Sequence, residues 1–366
     1  MKLEKIELWH VALPLRTPWR TAYGSDADIH SVIVRILAEG EEGWGEATPF
    51  EAPTYSPQTA HCAFYILKEF FIPRLLGLEF SSADKLLERL SCFKGNTFAK
   101  AAIETAWWDL RSKMLGMPLW KVLGGTRDTI PVGADFQIYD DTKRLLEDIA
   151  IAVDKGYPRI KLKVGPEHDI DVVAAVRNAF PDLTLHIDCN SGYDFKMHKD
   201  LFRELDHFDL AMFEQPLQHD DLVDHARLQE LVRTPICLDE SITSVRSFEL
   251  ALRLKSCQVV NVKPGRVGGL APAKRIHDMA KIAGLTAWVG GMLESGIGVG
   301  IAAALASLPG FTYPADIFPS DRIHQFDITR PSIQLDEKCC LHLGNMPGLQ
   351  FEVDMDRLET VTVERY

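Results

Sequence analysis

Apolar and polar residues trade places along this chain with two different periods. In KIELWHVAL (5–13) and HSVIVRILA (30–38) apolar residues recur roughly every second position, the pattern of strands with one buried face. AEGEEGWGE (38–46) reads as a hairpin turn. Between 56 and 122 the period becomes helical. SPQTAHCAFYILKEFFIPRLLG and SSADKLLERLSCF open on Ser, and NTFAKAAIETAWWDLRSKMLG closes at Gly116. Strands followed by helices predict an α+β unit over 1–125. From residue 130 eight short β-rich runs alternate with helical stretches such as DTKRLLEDIAIAVDKG (141–156). The runs are TIPVGADF, RIKLKV, LTLHIDCN, LAMFEQP, TPICLDES, CQVVNVKPG, LTAWVGG and FTYPADI. Such alternation predicts a parallel α/β barrel over 126–330. Residues 331–366 alternate again and are expected to return to the N-terminal unit.

Composition narrows the function classes. Hydrophobic residues are 46% and charged residues 25% of the 366, an ordinary globular balance. The net charge of −12 disfavours nucleic acid and anionic membranes as partners. Seven scattered cysteines without a CxxC pair fit a reducing cytoplasm better than a disulfide framework. The N-terminus lacks a signal-peptide core, and no apolar run nears the ~18 residues needed to span a bilayer. Twelve histidines show no HxH or HExxH spacing. GIGVG (296–300) has no following GK[ST]. It is expected to start a helix whose N–H groups line the barrel mouth and hold a carboxylate. AIETAWWDL (102–110) reads as core.

The chemistry concentrates at the strand ends. RIKLKV puts Lys161 and Lys163 two apart, on one face of an apolar strand, where unpaired charge is costly. Lys163, Asp188, Glu214, Asp239 and Lys263 follow one another at 25, 26, 25 and 24 residues, the length of a βα unit. Each therefore falls at the same level of consecutive strands, at the mouth where barrel enzymes build their sites. One strand-end Asp alone is usually a helix cap; five charges in phase are not explained that way. Three converging carboxylates without His or Cys suit Mg²⁺, with Mn²⁺ as the alternative. Crowding of cations is expected to depress a lysine pKa and make it a general base. The reaction class is proton abstraction α to a carboxylate through an enediolate, and the partner is a small-molecule carboxylate substrate.

With these residues in place the chain resembles the enolase superfamily, muconate-lactonizing subgroup. The likeness runs through KLK (161–163), DCN (188–190), FEQP (213–216), LDES (238–241) and NVKPGRVGG (261–269) and covers the whole chain, GWGEATPFEAPTY (43–55) included. Within the subgroup KPGRVGG, WVGGMLESGIG and YPADIFPSDRIHQFDITRP are similar to o-succinylbenzoate synthases and N-succinylamino acid racemases. The resemblance implies a modified (β/α)7β barrel with an N-terminal α+β capping domain completed by the C-terminal segment. It implies Lys163 and Lys263 as acid/base residues, Lys161 as electrostatic support, and Asn190 and Glu240 behind the metal ligands Asp188, Glu214 and Asp239. Trp19, Thr21, Phe50 and Tyr55 would cover the mouth. Arg266, Gly291, Met292, Leu293, Glu294 and Ile317 would complete the substrate site. It also implies dehydration to o-succinylbenzoate, a menaquinone precursor, with N-succinylamino acid racemisation as the close alternative; dipeptide epimerase and muconate cycloisomerase are further ones. Homo-oligomerisation stays open. One departure stands out: racemase-like members carry Ser where this chain has Asp135. A free carboxylate there is expected to repel a succinyl group or favour a cationic substrate. YPADIFPSD also lacks the Asp-x-Asp of the epimerases.

Overall fold

The computed structural model describes residues 1–366. At the N-terminus β1 (Lys5–Thr21), β2 (Gly24–Ala38) and β3 (Glu41–Ala47) form an antiparallel meander. Glu39 and Gly40 turn the β2–β3 hairpin with positive φ. Helices Ala60–Ile66 and Thr97–Met114 pack on this sheet, the first running on through a π turn at Leu67–Phe71, and Ala83–Arg89 packs against Thr97–Met114. The longest helix lies so close to β3 that a Cβ at Gly43 or Gly45 would strike its Ala102 and Ala106 backbone. Only glycine permits that approach.

Residues beyond 128 build the barrel. β4 (Thr129–Pro131) is followed by seven parallel strands, β5 (Ala134–Phe136), β6 (Ile160–Lys163), β7 (Leu185–Asp188), β8 (Phe213–Glu214), β9 (Ile236–Leu238), β10 (Val259–Val262) and β11 (Thr286–Val289), each next to its predecessor. Helices fill the intervals, and the side chains of Asp141, Asp169, Asp194, Asp221, Ser244 and Ser295 cap their first turns. Such caps satisfy N–H groups that the helix itself leaves free. The eighth run, FTYPADI, forms no strand. It closes the ring by isolated parallel bridges, Phe311 to Ala287 and Ala315 to Val132.

The expected common level of the five strand-end residues is corrected by the register. Lys163, Asp188 and Glu214 are direct neighbours, but Glu214 pairs with Cys237, two residues before Asp239. Tilted strands in a barrel advance in such steps, and a step of two preserves the inward face.

The C-terminal segment divides. β12 (Thr329–Arg330) pairs with β14 (Glu352–Val353), β13 (Cys340–His342) pairs with β4, and β15 (Thr362–Arg365) adds to the outer edge of β1. The two cores interpenetrate: Trp9, Val11, Leu13, Ile33 and Trp44 of the cap sheet join the barrel's core, and Met292, Leu293 and Phe318 from barrel loops belong to the cap's. The seam between the two therefore lies over the mouth. All seven cysteines are free thiols. No helix is long and apolar enough to cross a membrane.

Candidate active site

A cavity of about 30 Å³ lies under the cap at the barrel mouth. Trp19, Phe50, Tyr55, Asp135, Lys161, Lys163, Asn190, Lys263, Gly291, Met292 and Leu293 from the sequence reading line it. Tyr23, Asp26, Asp316 and Phe318 line it too, and sequence reasoning missed them. Asp316 follows an apolar run as the other five residues do, and that signal marks it. Ile317 points the other way, buried in the barrel core at 1% exposure; alternation along the closing segment sends one of the two inward and the other outward. Thr21 and Arg266 are buried and Glu294 is half-buried, all three off the cavity wall. Four residues near the mouth hold positive φ: Phe50 (71°), Asn190 (42°), Gln215 (38°) and Leu293 (60°). Backbone held against its preference tends to gather at functional sites.

The question posed by Lys161 and Lys163 has a direct answer. Lys161 Nζ is 2.8 Å from Asp135, 3.5 Å from Asp188 and 3.6 Å from Glu214, and it also bonds Asp316. Lys163 Nζ donates to Asp188 at 2.6 Å. Across the mouth Lys263 Nζ is 2.8 Å from Asp239 and 3.3 Å from the Tyr55 hydroxyl. Arg266 also pairs with Asp239, and its other nitrogens bond the Ile242 and Asn261 carbonyls. These pairs correct the expected depressed lysine pKa. Burial pushes Lys163 down, but Asp188 and Glu214 outweigh it and the value ends above the ordinary one. Burial likewise opposes Asp239 at Lys263, and the carboxylate wins. Both lysines are ammonium groups in this arrangement. A base role requires that the carboxylates be shared with another cation.

Asp135 is not the free carboxylate that was expected. Arg159 and Lys161 both pair with it, and Arg159 also pairs with Asp316. Burial pushes the Asp135 carboxyl up, and Lys161 and Arg159 outweigh that and hold it below the usual range. Its charge is spent within the protein, which removes the expected repulsion of a succinyl group. The first turn of the helix Gly296–Ala306 is corrected similarly. Ser295 and Gly298 N–H groups donate to Glu46 at 3.1 and 2.8 Å, and the Gly296 N–H donates to Asp327 at 3.0 Å. The chain's own carboxylates take the donors that a ligand carboxylate would use.

The ligand set is suited to a divalent cation in chemistry but is not pre-formed. No three His, Cys, Asp or Glu side chains stand in a ligating cluster. Asp188 and Glu214 meet at the Lys161 ammonium, whereas Asp239 turns to Lys263 and Arg266. That shared ammonium marks a point where two carboxylates already hold a cation. Burial and then the Glu214 charge raise Asp188, and Glu214 Oε2 and Glu240 Oε2 are buried without hydrogen-bond partners. Hard oxygen donors with surplus negative charge fit Mg²⁺-type ions. Asn190 donates to Glu240 at 3.0 Å, and its backbone N–H donates to Asp188 at 3.1 Å. Sequence reasoning also missed Gln215, whose carbonyl accepts the Asp239 and Ser241 N–H groups, and Asn261, which donates to Glu214 at 2.6 Å.

A barrel with carboxylates and lysines on successive strand ends, closed by an α+β cap, defines an enzyme of the enolase type. The chain belongs to that superfamily: residues 144–357 match the enolase C-terminal domain-like family, and residues 4–124 match the mandelate racemase/muconate lactonizing enzyme N-terminal domain. It is 42% identical to the o-succinylbenzoate synthase of Bacillus subtilis over 97% of this chain and 95% of that one. It is 40% identical to the N-succinylamino acid racemase of Thermus thermophilus over 100% and 99%. An enolase-superfamily structure from Listeria innocua superposes with a TM-score of 0.96 at 37% identity, covering 100% of this chain and 98% of that one. Enzymes of this superfamily generally use a divalent metal.

Proposed function

We propose that this chain is a Mg²⁺-dependent o-succinylbenzoate synthase of the cytoplasm that removes water from a cyclohexadiene carboxylate in menaquinone biosynthesis. The observation that carries the reading is the pair of lysines, Lys163 on β6 and Lys263 just beyond β10, which reach one cavity from opposite walls. Relatives of both named activities at 40–42% identity over nearly the whole chain support it. Bound to Asp188, Glu214 and Asp239, the cation would supply positive charge against the negative charge that develops on the substrate carboxylate. The Lys163 amine takes the α-proton as the C–H bond breaks, and the electron pair becomes the enediolate. Lys161 and Lys263 ammonium groups face that charge. The C–O bond then breaks, and Lys163 returns its proton to the departing hydroxyl on the same face, giving water and the aromatic product. Trp19, Phe50 and Leu293 keep bulk water from the reacting carbon.

N-succinylamino acid racemisation is the second reading, favoured by the same placement of Lys263, which would reprotonate the opposite face. Turnover with Mg²⁺ on the synthase substrate, measured beside racemisation of N-succinylphenylalanine, tests both. Dehydration is the expected main activity. Lys263→Arg should spare part of the dehydration and abolish racemisation. Equal loss of the two would sink this division of labour, and two untouched substrates would sink the substrate assignment.

A further inference from the structure

Two buried atoms without hydrogen-bond partners face each other beneath the mouth. His186 Nε2 and Glu214 Oε2 are both sealed from solvent and both unpartnered, and they lie 3.4 Å apart. His186 precedes Asp188 by two residues on β7, so both side chains enter the barrel from one face. Its other nitrogen, Nδ1, lies 2.9 Å from the Tyr313 hydroxyl. Trp288 and Tyr313 meet the ring edge-on, each with centroids 5.6 Å away. The imidazole therefore has little room to turn. Glu214 is fixed at its other oxygen by Asn261. Lys161 Nζ stands 3.6 Å from Oε2 but is closer to Asp135 and Asp316.

A neutral imidazole carries one N–H. If that hydrogen were on Nδ1, the Nε2 lone pair would point at a carboxylate oxygen. The Tyr313 hydroxyl can donate to Nδ1, which leaves the hydrogen on Nε2, with Glu214 Oε2 3.4 Å away. We infer that His186 is a positioning residue whose Nε2–H, its tautomer set by Tyr313, holds the Glu214 carboxylate in the plane in which it meets a divalent cation. This inference rests on the reading of Glu214 as a metal ligand. Donors behind a ligand typically carry 10- to 100-fold in metal affinity.

Two measurements test it. The ¹⁵N shifts of His186 in the metal-free wild type should report the Nε2–H tautomer; an Nδ1–H ring would overturn the inference and leave the metal reading intact. Calorimetric titration with Mg²⁺ then compares wild type, His186→Gln and His186→Leu. Glutamine keeps an N–H near the Nε2 position and should bind close to wild type, whereas leucine should bind about 10- to 100-fold more weakly. Equal affinity for wild type and His186→Leu would overturn the inference, and so would a His186→Gln as weak as the leucine variant. Tyr313→Phe keeps the ring but frees the tautomer. It should show mixed ¹⁵N shifts and an intermediate loss, which serves if His186→Leu does not fold. A wild type that binds no Mg²⁺ would remove the metal reading and this inference together.

Discussion

Lys161 and Lys263 are both buried ammonium groups at the barrel mouth, yet they keep different company. On the wall around β5 to β8, Arg159, Lys161 and Lys163 face four carboxylates: Asp135, Asp316, Asp188 and Glu214. On the wall of β9 and β10, Lys263 and Arg266 share one, Asp239. Glu240 beside them holds its proton more tightly than an ordinary carboxyl, because burial and then the Asp239 and Asp188 carboxylates push it well above the usual range. The mouth thus has a negative wall and a positive wall. The difference teaches where visitors go. On the proposed reading the cation would be drawn to the first wall, with Asp239 its one ligand from the second, and the substrate's negative charge towards Lys263.

The largest test of this polarity is catalytic. Lys163→Ala should lower kcat for dehydration by about 10²–10⁴-fold, and Lys263→Ala should cost less. Equal losses would mean that the two walls do not divide the work. The next test is stability. Asp239→Asn leaves two buried cations unpaired and should cost about 3–5 kcal/mol in urea unfolding. Asp135→Asn leaves Asp316 with both Arg159 and Lys161 and should cost only about 1–3 kcal/mol. Matching losses would erase the distinction between walls. A third concerns the cation itself. Mg²⁺ at ~100 times its Kd should stabilise the protein by about 2.7 kcal/mol. Asp188→Asn should abolish that gain, while Asp135→Ser should keep it; the reverse pattern would place the cation elsewhere.

The smallest expected effect is a slope. Burial pushes Glu294 up to about 7, and Lys263 opposes this only weakly. Between the ordinary value of 4.5 and about 7 the unfolded chain gives up this proton while the folded one keeps it. Its contribution to stability is therefore whole below pH ~4.5 and falls as pH rises towards ~7. Glu294→Gln should flatten that part of the stability profile. An unchanged slope would mean that the positive wall reaches Glu294 and keeps it ionised.

The strand ends were legible because a βα unit has a nearly constant length, so five charges in phase mark one end of a barrel. Alternation in residues 5–38 likewise announced the meander. What stayed hidden was partnership across the ring. Nothing near Arg159 in the chain names Asp316 as its partner, because the two meet only when the closing segment folds back beside β5. The same holds for Asn261 and Glu214, and for Asp135, whose charge looked free until Arg159 and Lys161 were placed beside it. Ile317 was misassigned over its neighbour because one residue of register decides which side chain faces inward. FTYPADI reads as a strand by composition, but Pro314 and its few bridges leave it irregular.

The seating of β15 against β1 has a consequence for how the molecule is made. Trp9 pairs with Arg365 and His10 with Glu364, so β1 waits for a strand made after the whole barrel. Until residue 365 is delivered, the outer edge of β1 is an open template for any passing strand. The cap that roofs the site is therefore begun before the barrel and finished after it. Closure over such a long sequence separation is slow, and the barrel has time to form beneath an incomplete roof.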